Sequence, residues 1–546
     1  MKRYIKYIIP VFILYISCEK FEYSDIESNL QSIKTKSELE KAVIGAYAKF
    51  AEIFMYGRYR NAYLYHLANA DDIELFSEIK YTDYTDEFYT KNLIDAKDNE
   101  GNDIQLCNSC YRENGIILAG NEDDLPIDKL YRNSYKAIIS QNNIISQYNN
   151  IKQLNENDLR MIGEIYFMRA YTYYRLTRLY GKVPLITDLE LNYNIKRATI
   201  EKIYQQIESD LKKAIQFVPS ISNNDKFSTI CPNKGSVKAL LAEVYLTMGG
   251  YPLNDNSKYA LAAKYAREVI DSASVYGFEL VNNFKRLFKQ RTDRNNETIS
   301  AIDYFNVGER LIPLLETAFE NGTFFENPIE QPWHLPGYSN ELQFEYLTPI
   351  VEVKFFNECP YNFRKKNSYL DGLSIPDKVF IDTIVPLTIT SCYLKFLTKY
   401  FSIEYFSDVD EMDKHTLYIF RYAHTLLTYA EASARSGNID DLTYEAINMV
   451  RRRANKLPVN TPSIYDISKE VSTELLIDSI VWERAWEFVG EPESRWFDIV
   501  RLNMINKYDQ LRDINEAPPV YEDILINDYY FPIPDEDVYL NPNLKK

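Results

Sequence analysis

Two stretches of the chain combine flat aromatic rings with short polar side chains. In the first, Asn69-Ala70-Asp71-Asp72 precedes Tyr81, Tyr84, Phe88 and Tyr89, with Asp83 and Asp86 interleaved. The second carries Phe324, Phe325, Trp333, His334 and Tyr338. Rings offer a ligand a platform, and a few Asn, Asp or His groups orient it through hydrogen bonds. The competing reading makes Asp71-Asp72 a turn or helix cap and the rings cover for a satellite core. On the first reading the candidate contacts are Asn69, Asp71, Asp72, Tyr81, Tyr84, Phe325, Trp333, His334 and Tyr338.

Catalytic and metal signatures are scarcer. The chain has no Walker A loop, dinucleotide fingerprint, HExxH or GxSxG. A glycoside hydrolase needs two carboxylates roughly 5–10 Å apart, and no motif points to such a pair among the 79 acidic residues. Asp408 to Asp413 is acid-rich but lacks the glycine and distant Glu of a calcium loop, so no cofactor or structural calcium is expected. Cys107-Asn108-Ser109-Cys110 has neither a second pair nor a histidine at zinc-ligand spacing, and reads as a loop disulfide or two plain thiols. With 62 basic and 79 acidic residues the net charge is −17, which excludes a nucleic-acid backbone as partner.

The elements that must position these residues are helical. Hydrophobic residues make up 46% of the 546, enough for a large core. At roughly 100–200 residues per domain this length means three or four domains or one repeat array. The box Ser37-Glu38-Leu39-Glu40 predicts a helix through Ala42 to Phe54. Apolar periodicity predicts further helices over about 128–148 and 158–180, the latter closed by Gly181 and Pro184. Others follow from Thr199 to before Pro219, through Val237 to Gly249-Gly250, and over 259–271. A second block begins near Thr416, with Leu417, Phe420, His424 and Leu427 on one helical face, and continues over 442–453, 474–488 and 494–505. Residues 69–126 and 274–413 and the proline-rich tail after Lys507 do not read as helix pairs, and Thr298 to Ile302 is strand-like. Loops this long are usually functional. The expected architecture is mainly α, a TPR-like array of helical hairpins with long irregular loops and minor β elements.

The N-terminus has a separate task. Lys2, Arg3 and Lys6 precede the apolar run Tyr7 to Ile16, then Ser17 and Cys18. This is a basic segment, a short apolar segment and a small residue before a cysteine, as in a bacterial lipoprotein signal. Residues 1–17 are expected to be cleaved and Cys18 to be acylated, leaving a lipid anchor. An ordinary cleaved signal or an uncleaved anchor is the alternative.

The stretch Phe167-Met168-Arg169-Ala170-Tyr171 through Tyr180-Gly181-Lys182-Val183-Pro184 closely resembles the YGxVP region of SusD/RagB-family outer-membrane lipoproteins. Lys238 to Leu246, Arg421 to Ala432, Asn448 to Ala454, Glu483 to Phe488 and Arg495 to Arg501 resemble further family motifs in order. So do the endings Phe531-Pro532-Ile533-Pro534 and Asn541-Pro542-Asn543-Leu544, while His424 stands where a Glu is common. The charged motif residues Arg169, Arg421, Glu431, Glu483, Arg484, Arg495 and Asp498 lie within apolar stripes, and are expected to be buried ion pairs that fix hairpin stacking rather than a site. Trp482, Trp486 and Trp496 are expected in the core. The resemblance implies an N-terminal helical region over 18–273 with a loop insertion at 69–126. It further implies a loop-rich region over 274–413 and a C-terminal helical region and tail over 414–546. It also implies a non-catalytic protein anchored to the extracellular face of the outer membrane. Such a protein binds oligosaccharide on its loops and delivers it to a TonB-dependent β-barrel transporter. Sugars stack their C–H faces on rings and present hydroxyls to Asn, Asp and His. The same architecture binding peptides, a secreted glycoside hydrolase and a ligand-free scaffold are the other readings.

Overall fold

The computed structural model describes residues 32–54, 126–190, 192–220, 231–287, 295–303, 416–489, 491–493, 495–504 and 530–545, residue 364, and strands at 73–79, 93–97, 103–107, 110–113, 116–119, 348–351, 369–371 and 395–397. Helix α1 (Lys36–Glu52) begins one box earlier than expected. Thr35 and Glu38 form the reciprocal cap, with Glu38 N donating to Thr35 Oγ1 at 3.2 Å and Thr35 N donating to Glu38 Oε2 at 2.8 Å. The sequence holds two overlapping boxes. The upstream one wins because the fully buried Ile33 seats the entering chain, and Ser37 then falls inside the first turn.

Helices α2 (Pro126–Gln147), α3 (Glu156–Tyr180), α4 (Ile200–Phe217), α5 (Lys234–Gly249) and α6 (Ser257–Asp271) follow within a residue or three of the periodicity. Gly181 closes α3 with φ +69°, a backbone that L side chains rarely adopt. In α4, Ile200, Ile203, Ile207, Leu211 and Ala214 form the buried stripe of an amphipathic helix. In α3 every residue from Met161 to Tyr180 is buried, so this helix runs through the centre. Phe50 of α1 and Phe54 just beyond it close on Tyr171 of α3 at ring distances of 5.7 and 5.9 Å. Each such buried ring is worth roughly 1.5–3 kcal/mol relative to exposure.

Where a helix is expected from Thr416, the chain instead forms a strand. The strand β10 (Thr416–Arg421) pairs antiparallel with β6 (Thr298–Asp303), and helix α7 (Tyr422–Arg435) starts immediately after it. Tyr418, Ile419, Phe420 and Arg421 are all buried, so no alternation marks the strand, and pairing across more than a hundred residues decides it. Helices α8 (Asp441–Ala454), α9 (Thr473–Phe488), α10 (Arg495–Leu502) and α11 (Asp535–Leu540) complete the chain.

Packing follows chain order. The contact ribbon runs α1–α2, α2–α3, α3–α4, α4–α5, α5–α6, α6–α7, α7–α8 and α8–α9. Each hairpin therefore covers the apolar face of its neighbour, the stacking of a TPR-like array. The C-terminal segment returns to α3, where Phe531 N donates to Leu179 O at 2.8 Å. Strands β1 (Ile73–Ile79), β2 (Leu93–Lys97), β3 (Asp103–Cys107), β7 (Thr348–Val351), β8 (Tyr369–Asp371) and β9 (Lys395–Leu397) form one antiparallel sheet in the order β2-β3-β1-β7-β9-β8. Strands β4 (Cys110–Glu113) and β5 (Ile116–Ala119) form a hairpin. These two sheets are built from the stretches that did not read as helix pairs, whereas β10 comes from one that did. Among the described residues, no helix is long and apolar enough to cross a membrane.

Candidate ligand-binding site

The charged motif residues form a structural frame. Arg169 of α3 donates Nε and Nη2 to Asp210 of α4 at 2.8 and 2.6 Å, and Nη1 to Asn142 of α2 at 2.7 Å. One side chain thereby locks three helices. Against burial, which disfavours its charge, the Asp210 carboxylate keeps the Arg169 guanidinium protonated. Burial also pushes the Asp210 carboxyl up, beyond what Arg169 pulls down.

A second knot centres on Arg421 at the start of α7. It reaches Glu491 at 2.8 Å, Glu487 at 3.0 Å and Glu297 just before β6. Arg453 of α8 shares Glu297 and Glu487. Arg364, between β7 and β8, donates Nη1 to Glu483 at 2.6 Å and Glu487 at 3.0 Å. All three arginines are 0% exposed. The third knot joins Arg484 and Arg501 to Glu243, Glu431 and Asp498. Burial alone would raise the Glu431 carboxyl, but Arg501 and then Arg435 more than reverse it and hold it well below its ordinary range. Arg178 donates to Glu493 between the rings of Tyr174 and Phe497, 3.6 and 3.9 Å from their centroids. Arg495 lies over Trp482 at 4.8 Å. Trp496 is buried, and Trp482 and Trp486 stack on each other at the edge of the core.

These arrangements hold charge without offering it to a ligand. The expectation that the seven motif residues are buried holds for all of them, and carboxylate–guanidinium contacts engage Arg169, Arg421, Glu431, Glu483, Arg484 and Asp498. His424 is no metal ligand either. It stacks on Phe488 at 3.5 Å, accepts from Arg421 N through Nδ1, and is held well below its usual pKa by burial and by Arg421 and Arg484. Burial likewise pushes the Cys231 thiol up to about 12, which leaves it inert. No group of three metal-binding side chains occurs among the described residues.

The seven residues singled out leave out Arg178, Glu243, Arg453, Glu487 and Arg501, which lie within the same motif stretches, and Glu297, Arg364, Glu491 and Glu493, which lie outside them. One signal exists for some of them. Glu483, Glu487 and Glu491 recur every fourth residue, the spacing of one helical face. Nothing local marks Glu297 or Arg364 as their partners.

Asn69, Asp71, Asp72, Tyr81, Tyr84, Phe325, Trp333, His334 and Tyr338 lie outside the described residues, as do Cys18 and Asp408 to Asp413. The side chains of Cys107 and Cys110 do too. The strands nevertheless show where the candidate segments join the sheet. β1 and β7 are antiparallel, with Ile73 opposite Val351 and Phe76 opposite Thr348. β1 therefore ends, at Ile79, at the end of the sheet at which β7 begins, at Thr348, and β1 begins, at Ile73, at the opposite end.

The sequence and the fold both have counterparts among known proteins. A family model described as "Starch-binding associating with outer membrane" matches residues 64–246, and one described as "SusD family" matches residues 387–546. SusD-like protein P2 of Formosa agariphila is 24% identical, the match covering 100% of this chain and 99% of that protein. A SusD homolog from Bacteroides thetaiotaomicron superposes with a TM-score of 0.69 at 19% identity, covering 95% of this chain and 97% of the other. Surface glycan-binding protein A from the same organism, solved in complex with laminarihexaose, superposes with a TM-score of 0.63 at 20% identity over 94% and 99%. From the two family models, which flank the loop-rich centre, and the end-to-end relative, we conclude that this chain belongs to the SusD/RagB family.

Proposed function

We propose that this protein is a non-catalytic receptor for oligosaccharides, held by acylated Cys18 at the extracellular face of the outer membrane, and that it passes its ligand to a TonB-dependent β-barrel transporter. The observation that supports the ligand reading is the β1–β7 pairing, which sets the end of β1 and the start of β7 at one end of a single sheet; in the sequence Tyr81 and Tyr84 follow β1, and Phe325 to Tyr338 precede β7. Rings from two such segments would stack against sugar faces, and Asn, Asp or His would take the hydroxyls. The frame supports this indirectly. Its arginines and carboxylates are spent on each other inside the helices, so recognition falls to the loops. Family membership and the laminarihexaose complex of a structural neighbour point to the same ligand class.

Transport needs a partner, because a lipid-anchored binder cannot move ligand through a membrane by itself. The test is affinity electrophoresis and calorimetry of the full chain against starch, laminarin, other glycans and a peptide panel. Glycan retention that weakens at least tenfold in Trp333→Ala or Tyr81→Ala supports the reading. Retention of peptides alone replaces it with peptide capture, and shortened oligosaccharide after incubation with pure protein revives the hydrolase. Crosslinking before gentle solubilisation should recover a TonB-dependent barrel, and Cys18→Ala should abolish palmitate labelling. Unchanged labelling would remove the anchor.

A further inference from the structure

The six-stranded sheet needs a grip on the helical frame if ligand-bearing segments are to be held in one geometry. Arg364 stands 13 residues after Val351, where β7 ends, and five before Tyr369, where β8 begins. Five residues span at most about 18 Å, so fixing Arg364 confines the start of β8. Its guanidinium is 0% exposed and bridges Glu483 and Glu487 of α9, both themselves fully buried. Glu487 is no loose acceptor, for Arg421 and Arg453 also hold it. Within the span 304–415, Arg364 is the described side chain that enters the frame.

The charge arrangement makes this contact specific. Glu297, Glu483, Glu487 and Glu491 face Arg364, Arg421 and Arg453, with Arg451 a further 3.7 Å from Glu483. An apolar residue at 364 would leave Glu483 and Glu487 short of a cation in a dry interior. Both contacts run through one nitrogen, Nη1, so a lysine ammonium, which carries three donors, would restore the charge and could offer itself to both carboxylates.

We propose that Arg364 is a positioning residue: its buried contact with Glu483 and Glu487 ties the β1-β7-β9-β8 sheet to the helical array and so sets the affinity of the glycan surface. The affinity part rests on the ligand reading above, whereas the tether does not. A surface formed by separate segments loses affinity when its support loosens, because binding must then order it.

The experiment compares the wild-type chain, Arg364→Lys and the charge-balanced double variant Arg364→Met/Glu483→Gln. It reads laminarin and starch affinity alongside hydrogen exchange of peptides covering 348–397 and of α3 and α5. The expected result for the double variant is a tenfold or greater loss of affinity and faster exchange across 348–397, with α3 and α5 unchanged. Arg364→Lys should recover most of both losses. Faster exchange in α3 and α5 as well would make Arg364 a general stability residue and overturn the proposal, and so would unchanged exchange across 348–397. Should the double variant fail to fold, Arg364→Gln takes its place: it must weaken binding and loosen 348–397 without touching α3, and Arg364→Lys must restore most of both. If the wild type binds no glycan, the ligand reading fails while the exchange data still judge the tether. If it binds and the variants bind equally well, the positioning role fails and the ligand reading stands.

Discussion

Removing Arg169 tests whether buried ion pairs fix the stacking of the helices. Arg169→Met deletes the 2.8 and 2.6 Å bonds to Asp210 and the 2.7 Å bond to Asn142, linking α3 to α4 and α2. Asp210, 1% exposed, keeps only the Gln206 amide at 2.9 Å. Orphaning one member of a buried pair costs about 3–5 kcal/mol. For a chain of 546 residues the unfolding entropy is roughly 1 kcal/mol per degree, so the melting midpoint should fall by about 3–5 °C. The double variant Arg169→Met/Asp210→Leu removes the stranded charge and leaves Asn142 Oδ1 without this donor and the half-buried Gln206 amide without its acceptor. It should recover to within about 1–2 °C of wild type. The penalty should also depend on pH. Burial already raises the Asp210 carboxyl, and without Arg169 it rises further. A carboxyl with a raised folded-state pKa contributes stability in full at low pH and loses it as pH rises through the folded value. The Arg169→Met deficit should therefore be smaller at pH 5 than at pH 8. Differential scanning calorimetry with far-UV dichroism measures all three. A double variant as unstable as the single one, or a single deficit independent of pH, would refute the reasoning.

Three further outcomes follow from local geometry. A Cβ on Gly250 would lie 2.2 Å from the Arg501 carbonyl oxygen, so Gly250→Ala should lower the midpoint by about 2–3 °C, whereas Gly45→Ala in exposed α1, with nothing within 4 Å, should raise it by up to about 1 °C. Asp128 is raised to about 6, first by burial and then by Asp537 and other acids of α11 despite Arg132. Its ionisation therefore opposes folding as pH rises through about 6, so Asp128→Asn should stabilise the protein at pH 7.5 more than at pH 4.5, as a pH series of melting curves will show. Glu431 is depressed by Arg501 and Arg435 against burial, so it contributes stability above its ordinary value of 4.5 and loses it as pH falls further. Glu431→Gln should be less stable at neutral pH yet show a shallower acid limb in urea unfolding across pH 3–7.

Local pattern carried most of the helical frame. Apolar spacing marks α2 to α6 because a 3.6-residue stripe needs only one buried face, whatever lies opposite it. The charged residues inside those stripes could be read as ion pairs for the same reason, since a charge in an apolar stripe must be compensated. Pairing itself is another matter. Arg484 meets Glu243 across 241 residues and Arg421 meets Glu297 across 124. No window of sequence contains both ends of such a contact, and any of the chain's 79 acids satisfies the chemistry equally well. The strand β10 was hidden likewise. Its residues are buried on both faces, so it shows no alternation, and only the approach of β6 distinguishes it from the first turn of α7. For the ligand surface, residue types alone nominated rings and polar groups. The sheet added what composition cannot hold: β1 runs antiparallel to β7, so the end of one strand and the start of the other share one end of the sheet. Side-chain chemistry is a property of single residues and survives in a string of letters. Register is a relation between two distant segments, and it exists only once the backbone hydrogen bonds between them have formed.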